Sequence, residues 1–333
     1  MVELQLPKLL TWVRFPSPAP FPAKSSQRES RRRACCPLVL GLPMLACVGY
    51  PDFHHPMPLI VFATVMSAAL LHASWNAIVK SAGDKFLTTI VVTASAAGLS
   101  AAVLPFLSAP APASWPYAAA SAVFQIIYFL LVACAYEIAD MSQTYPLMRG
   151  TAPLIVALVS VLQMGDVLSP TAWAGITGIS LGIFSIALSN KVDDRKGVYL
   201  ALLNALVIAG YTLIDGVGVR RSGAPAAYTL WVFLLTGLPL TVWAASARRS
   251  TFLPYVRRHW RLGLAGGVGT TASYGLALWA MTVAPVAVVA ALRETSILFG
   301  ILIAALVLRE HVGLRRAVSA CIIACGAAIL RLA

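Results

Sequence analysis

Three places in this chain set chemically active side chains inside runs that are otherwise apolar. Arg149 sits in TYPLMRGTAPLIV, residues 144–156, and Arg293 with Glu294 in AALRETSILFG, residues 290–300. His72, Trp75, Asn76 and Lys80 follow one another at spacings of three and four, which puts them on one face of a helix. A guanidinium offers a fork of donors suited to carboxylates and phosphates. A carboxyl among apolar residues has its charged form disfavoured, so Glu294 is the candidate for proton coupling. The chemistry on offer is therefore recognition and proton transfer. No H-E-x-x-H, no G-x-S-x-G, no nucleophile–base pair and no metal-ligand spacing occurs, so no catalytic residue, cofactor or metal is expected.

Each of these residues also has a plainer role open to it. Arg149 can snorkel to the membrane surface, clamp a carboxylate such as Glu137 or Asp140, or bind cargo. Glu294 can titrate or simply pair with an arginine. The His72–Lys80 stripe must face protein or a cavity, because lipid satisfies neither His nor Asn; helix-to-helix bonding and substrate contact both fit. Tyr128, Tyr145, Tyr274 and Trp279 are candidate wall residues, although aromatic residues in such helices often serve packing or the interface. Asp215 reads as interfacial, and Asp166 and Glu310 read as solvated or hinge-stabilising helix ends.

The elements that must position these groups are membrane helices. Hydrophobic residues make up 59% of the 333 and charged residues 11%. A helix crossing a ~30 Å hydrocarbon core needs roughly 20 mainly apolar residues, and ten such runs follow one another: about 58–80, 86–107, 115–137, 142–164, 170–189, 197–219, 226–247, 259–282, 286–308 and 314–332. The alternation of a membrane barrel is absent. Gly178 and Gly182, and the glycines at 263, 266, 267 and 269, mark close packing seams. The formal charge of +13 does not point to nucleic acid, since beyond residue 56 the basic residues gather at helix ends. Six cysteines show neither disulfide nor zinc spacing, and Cys134, Cys321 and Cys325 are expected to pack as small apolar residues.

Residues 1–56 differ in kind, with seven of the 25 Lys and Arg and a proline-rich run. WVRFPSPAP can be encoded by DNA resembling the T-arm of a transfer RNA gene. That suggests a mis-assigned start, with Met57 or Met66 as the natural one; a disordered basic arm is the other reading.

Sliding the chain by 144 residues lays RGTAPLIVALVSVLQMGD (149–166) over RETSILFGILIAALVLRE (293–310). Arg149 then meets Arg293, Asp166 meets Glu310, and Gly182 meets Gly326. At an offset of 136, HASWNA (72–77) falls over IAGYTL (208–213), with Trp75 over Tyr211. Two halves of five helices result, 58–190 and 197–333. An odd number of spans per half inverts the second, the arrangement of many secondary transporters, whose sites lie near the midplane between the halves.

LLHASWNAIVKSAGDK (70–85), residues 142–183 and residues 284–330 resemble the drug/metabolite transporter superfamily, and within it the EamA-type ten-helix members. The resemblance covers 58–333. It implies an all-α polytopic membrane protein of ten transmembrane helices in two inverted EamA repeats. It further implies a central cavity lined mainly by the third, fourth, eighth and ninth helices, and export of metabolites or amino acids across a bacterial inner membrane. The expected partners are a small-molecule substrate and the lipid bilayer, with a homodimer left open and no nucleic acid. A membrane receptor or assembly protein is the alternative, and the absence of a central cavity would favour it. Beyond residue 56 and apart from Arg149 and Arg293, 13 of the 16 Lys and Arg lie in the odd-numbered connections. The positive-inside rule places those connections in the cytoplasm and both termini outside.

Overall fold

The structure, a computed structural model of the chain, describes residues 57–138, 141–187, 195–306, 309 and 313–333. The expectations for residues 1–56, Asp140 and Glu310 lie outside the described residues, as does the side chain of Glu137.

In a bilayer the backbone must satisfy its own polar groups, and a continuous apolar run does so by coiling into a helix. The described residues form α1 (Leu59–Ser81), α2 (Lys85–Val103), α3 (Trp115–Ile138), α4 (Met141–Met164), α5 (Pro170–Ala187), α6 (Arg195–Ser222), α7 (Pro225–Ala247), α8 (Arg249–Val283), α9 (Val286–Arg293), α10 (Ser296–Leu306) and α11 (Leu314–Leu332), with short 3-10 turns before α3 and no strand. Local chemistry fixes the ends. The Asp84 carboxylate accepts from the Leu87 N–H at 2.9 Å and caps α2. Prolines open α5 and α7, where a missing N–H costs nothing.

Among the described residues eight helical segments are long and apolar enough to cross a membrane, with α9 and α10 together making one of them. The other two expected spans, α8 and α11, are helical but less apolar: α11 carries three arginines, and the body of α8 is rich in glycine and hydroxyl residues.

Two expected boundaries are corrected. The arginine-rich connection before α8 is itself helix, beginning at Arg249 directly after α7. Its apolar side is anchored, because Phe252 is buried with Leu87, Ile90 and Val91 of α2, while Arg257, Arg258 and Arg261 stay exposed. The ninth span is not continuous: α9 stops at Arg293 and α10 starts at Ser296. The expected packing of Cys134, Cys321 and Cys325 is also corrected, since all three are exposed.

Helix neighbours follow a pattern. α3 packs on α6 and α1 on α8; α4 packs on α6 and α1 on α10; α5 pairs with α11, α2 with α7 and α4 with α9. The α5–α11 seam rests on glycine. A methyl added at Gly326 would come within 2.8 Å of the Ile179 backbone nitrogen, and one at Gly182 within 2.7 Å of Ile323 Cγ1. The α2–α8 seam uses Gly267 in the same way, against Ser95 and Ala96. The main apolar core runs from Val61 and Val65 of α1 through Ile176, Ile179 and Ile183 of α5 to α9, of which every residue is buried.

Candidate functional site

Arg149 and Arg293 both stand where helical hydrogen bonding is disturbed. Pro153 lies four residues after Arg149 inside α4, so the Arg149 carbonyl lacks the N–H that a continuous helix would offer it. At the end of α9 the bonds tighten. Glu294 N–H donates to Ala291 O and Thr295 N–H to Leu292 O, both at 3.0 Å, and the Thr295 hydroxyl donates to the same Leu292 carbonyl at 2.6 Å. A 3-10 turn of this kind inside a span is a common hinge and site signature. Neither glycine nor proline marks it in the sequence.

These irregular points meet. Arg149 is 2% and Glu294 2% exposed, and Arg149 Nε lies 2.7 Å from Glu294 Oε2. The N–H does not aim at that oxygen, so the contact is an ion pair more than a hydrogen bond. Arg149 also lies over the Tyr145 ring at 5.9 Å, and its Nη2 approaches His72 Nε2 at 3.2 Å. On the other side of the same imidazole, Trp75 Nε1 approaches Nδ1 at 3.3 Å. Arg293, 3% exposed, stacks over the Tyr274 ring at 5.4 Å. His72, Tyr145 and Glu294 lie in the field of both arginines.

A second buried carboxylate completes the group. Asp215, expected at an interface, is fully buried in α6. It accepts from Tyr228 Oη at 2.8 Å on Oδ1, and from Ser121 Oγ at 2.8 Å and Tyr274 Oη on Oδ2. Gln125 Nε2 donates to Ser121 Oγ at 3.2 Å. Four helices thus converge on one acid, and Tyr274 joins it to Arg293. Tyr274, Tyr211 and Tyr128 stand edge to face, with centroids 6.4 Å and 6.1 Å apart, and Phe233 meets Tyr274 at 5.9 Å.

The structure therefore gathers the buried Arg149, Arg293 and Glu294 with the half-buried His72, Trp75, Tyr145 and Tyr274 into one cluster, with Tyr128 on its aromatic margin. Asn76 turns aside and donates to its own helix at His72 O, 2.7 Å away. Trp279 packs partly buried against the main apolar core. Arg149 does not reach for the rim, and its described carboxylate partner is Glu294. Asp166, expected to be solvated or to stabilise a hinge, is buried, which corrects the solvated reading. Tyr228 and Ser121 escaped the sequence reading, and Asp215 was read as interfacial. The available signal was an acid four residues after Tyr211 within an unbroken apolar run, YTLIDGVGV. α1, α6 and α7 supply the site as well as the third, fourth, eighth and ninth spans named by the resemblance.

Beside the cluster lies a cavity of about 30 Å³, lined by Trp75, Thr93, Gln125, Phe129, Phe233 and Thr236 among others. That is room for a few waters.

Residues 195–332 match the EamA-like transporter family. A solved structure, described only as the crystal structure of a protein, superposes with a TM-score of 0.66 at 18% identity, over 81% of this chain and 96% of that one. The likeness is one of fold. Residues 195–332 thus carry an EamA-like transporter domain, consistent with the drug/metabolite transporter superfamily, and the match together with eight apolar helices among the described residues supports a multi-pass membrane protein.

Proposed function

With an EamA-like transporter domain over residues 195–332 as the premise, we propose that this protein is a secondary carrier exporting a small metabolite or amino acid across a bacterial inner membrane by alternating access. The observation that carries the reading is the buried Arg149–Glu294–Arg293 group, held where α4 meets the break between α9 and α10. Charges inside a membrane protein are costly and typically mark a substrate or proton path. Broken helices at such a point are the usual construction of a carrier site.

The helix neighbours support two inverted five-helix halves and ten spans. Exchanging α1 with α6, α2 with α7, α3 with α8, α4 with α9 and α10, and α5 with α11 turns the α3–α6 pair into α8–α1 and the α4–α6 pair into α9,α10–α1, all of which occur. The same exchange returns α5–α11, α2–α7 and α4–α9 to themselves. On this reading the closed core is an occluded stage, and Glu294 exchanges a proton as Arg149 lets go of it.

Reconstitution tests the proposal. The full chain in liposomes is assayed for counterflow of labelled amino acids, sugars, nucleosides and organic cations, with and without a pH gradient. Flux accelerated by the gradient, with the acceleration lost in Glu294→Gln, supports a proton-coupled carrier. Flux indifferent to both removes the coupling and keeps the carrier. A second reading, a non-transporting receptor or assembly protein, is favoured by the small volume of the cavity beside the cluster; a folded sample moving nothing in the panel would favour it further.

A further inference from the structure

The first turns of α8 are longer and more basic than a connection between two spans requires. At 1.5 Å per residue the 35 residues of α8 extend about 52 Å, well beyond a ~30 Å hydrocarbon core. Counted back from Val283, a crossing of roughly 20 residues ends near Gly263. The contacts agree. Gly263 and Gly267 pack against Val91 and Ser95, well inside α2. Earlier turns meet the start of α2 instead: Phe252 is buried with Leu87, Ile90 and Val91, while the Tyr255 hydroxyl lies 2.6 Å from Thr88 Oγ1 and donates to Asp84 O at 3.2 Å. Since α2 opens with the exposed Asp84 and Lys85, the first turns of α8 are held at the membrane edge.

The exposed side of this stretch interleaves two chemistries. Leu253, Arg257 and Arg261 succeed one another at intervals of four, and Trp260 and Leu264 continue the same side. Trp260 is 51% exposed, and Arg261 lies over its ring at 5.4 Å. At the turn into α8, Arg248 lies over the Phe86 and Trp243 rings at 5.3 and 5.9 Å. Stacking occupies the face of a guanidinium and leaves its edge donors for an oxygen ligand. Among the described residues no carboxylate pairs with Arg248, Arg249, Arg257, Arg258 or Arg261. Residues 81–95 and 241–264 hold a single acid, Asp84, and its carboxylate takes the Leu87 N–H to cap α2.

We propose that this corner of the bundle binds anionic phospholipid, with the arginines on the phosphate and Leu253, Trp260 and Leu264 against the acyl chains. The mixture of side chains selects the occupant. A soluble polyanion meets the arginines but gives the interleaved apolar residues nothing. A zwitterionic lipid brings its own cation and leaves five arginines without a counter-charge. Basic clusters beside a membrane helix are drawn to an anionic leaflet, and tryptophan settles at headgroup level. Lipid binding here is independent of the carrier reading. It also reaches further into the fold, because α8 continues to Tyr274, whose hydroxyl donates to Asp215.

Thermal unfolding of the full chain in a neutral alkyl glycoside detergent tests this. Phosphatidylglycerol is added against phosphatidylcholine of the same acyl chains, and against glycerol phosphate, which has the headgroup charge and no chains. The expected result is that phosphatidylglycerol stabilises the wild type more than either. Arg257→Gln with Arg261→Gln should weaken its binding roughly tenfold to thirtyfold. Arg257→Lys with Arg261→Lys, which keeps the charge, should retain most of it. The control is Arg315→Gln with Arg316→Gln, which removes two exposed arginines from the start of α11, where no aromatic ring stands beside them, and should leave the preference intact. Equal stabilisation by the two lipids, or equal loss in the two glutamine pairs, overturns the assignment. Glycerol phosphate matching phosphatidylglycerol would make this a site for dissolved anions and overturns the lipid.

Discussion

Glu294 is the pivot of the buried charges, and its removal should be more damaging than removal of its partner. In Glu294→Gln, Arg149 and Arg293 remain buried in each other's field with no carboxylate paired to either. In Arg149→Met, Glu294 keeps the field of Arg293. Breaking a buried pair from one side costs about 3–5 kcal/mol, because the surviving charge is left uncompensated, whereas removing both members is often close to neutral. At roughly 2–4 °C per kcal/mol, each single variant should lower the unfolding temperature by roughly 6–20 °C, with Glu294→Gln the lower of the two. The double variant should recover part of the loss, since it buries one fewer orphaned charge than Glu294→Gln. The assay is thermal unfolding of wild type, both singles and the double in one detergent, read as a double-mutant cycle. Shifts under about 2 °C for both singles, or a double equal to their sum, would refute the pairing as a feature of the folded core.

Three further outcomes follow. Asp215→Asn replaces an acceptor of three hydroxyl bonds with a group that is half donor, and should destabilise by about 1–3 kcal/mol, against a smaller loss for Tyr228→Phe in the same assay. Gly326→Ala presses on backbone at Ile179 and should cost about 1–3 kcal/mol, while Gly178→Ala, whose added methyl would lie 3.5 Å from Gly326 Cα, should be close to neutral; equal effects would remove the glycine seam as the reason α5 and α11 approach so closely. Arg220→Ala frees the carbonyls of Met281 and Ala284, to which Arg220 donates at 2.7 and 2.8 Å, and should lower stability by about 1–3 kcal/mol; no change would mean that those carbonyls find other donors.

Much of this was legible in the sequence. An apolar run of some 20 residues has one way to bury its backbone, so helices over 59–81, 115–138 or 225–247 follow from composition alone. The spacing of small residues at Gly178 and Gly182 showed where helices could touch, and the paired positions of Arg149 and Arg293 singled out the charges that matter. These signals are local, and periodicity or burial cost reads them directly. Sequence did not show that Arg149 pairs with Glu294, 145 residues on, because partner choice depends on which helix faces which. Nor did it show the turn at Glu294–Thr295, where no proline or glycine stands, or the burial of Asp215 under three hydroxyls from α3, α7 and α8. An aspartate near a helix end looks the same in the chain whether it faces water or a tyrosine from another span. Composition and period thus determined the class of structure and named the costly residues; only packing decided which of those costs are offset by a partner.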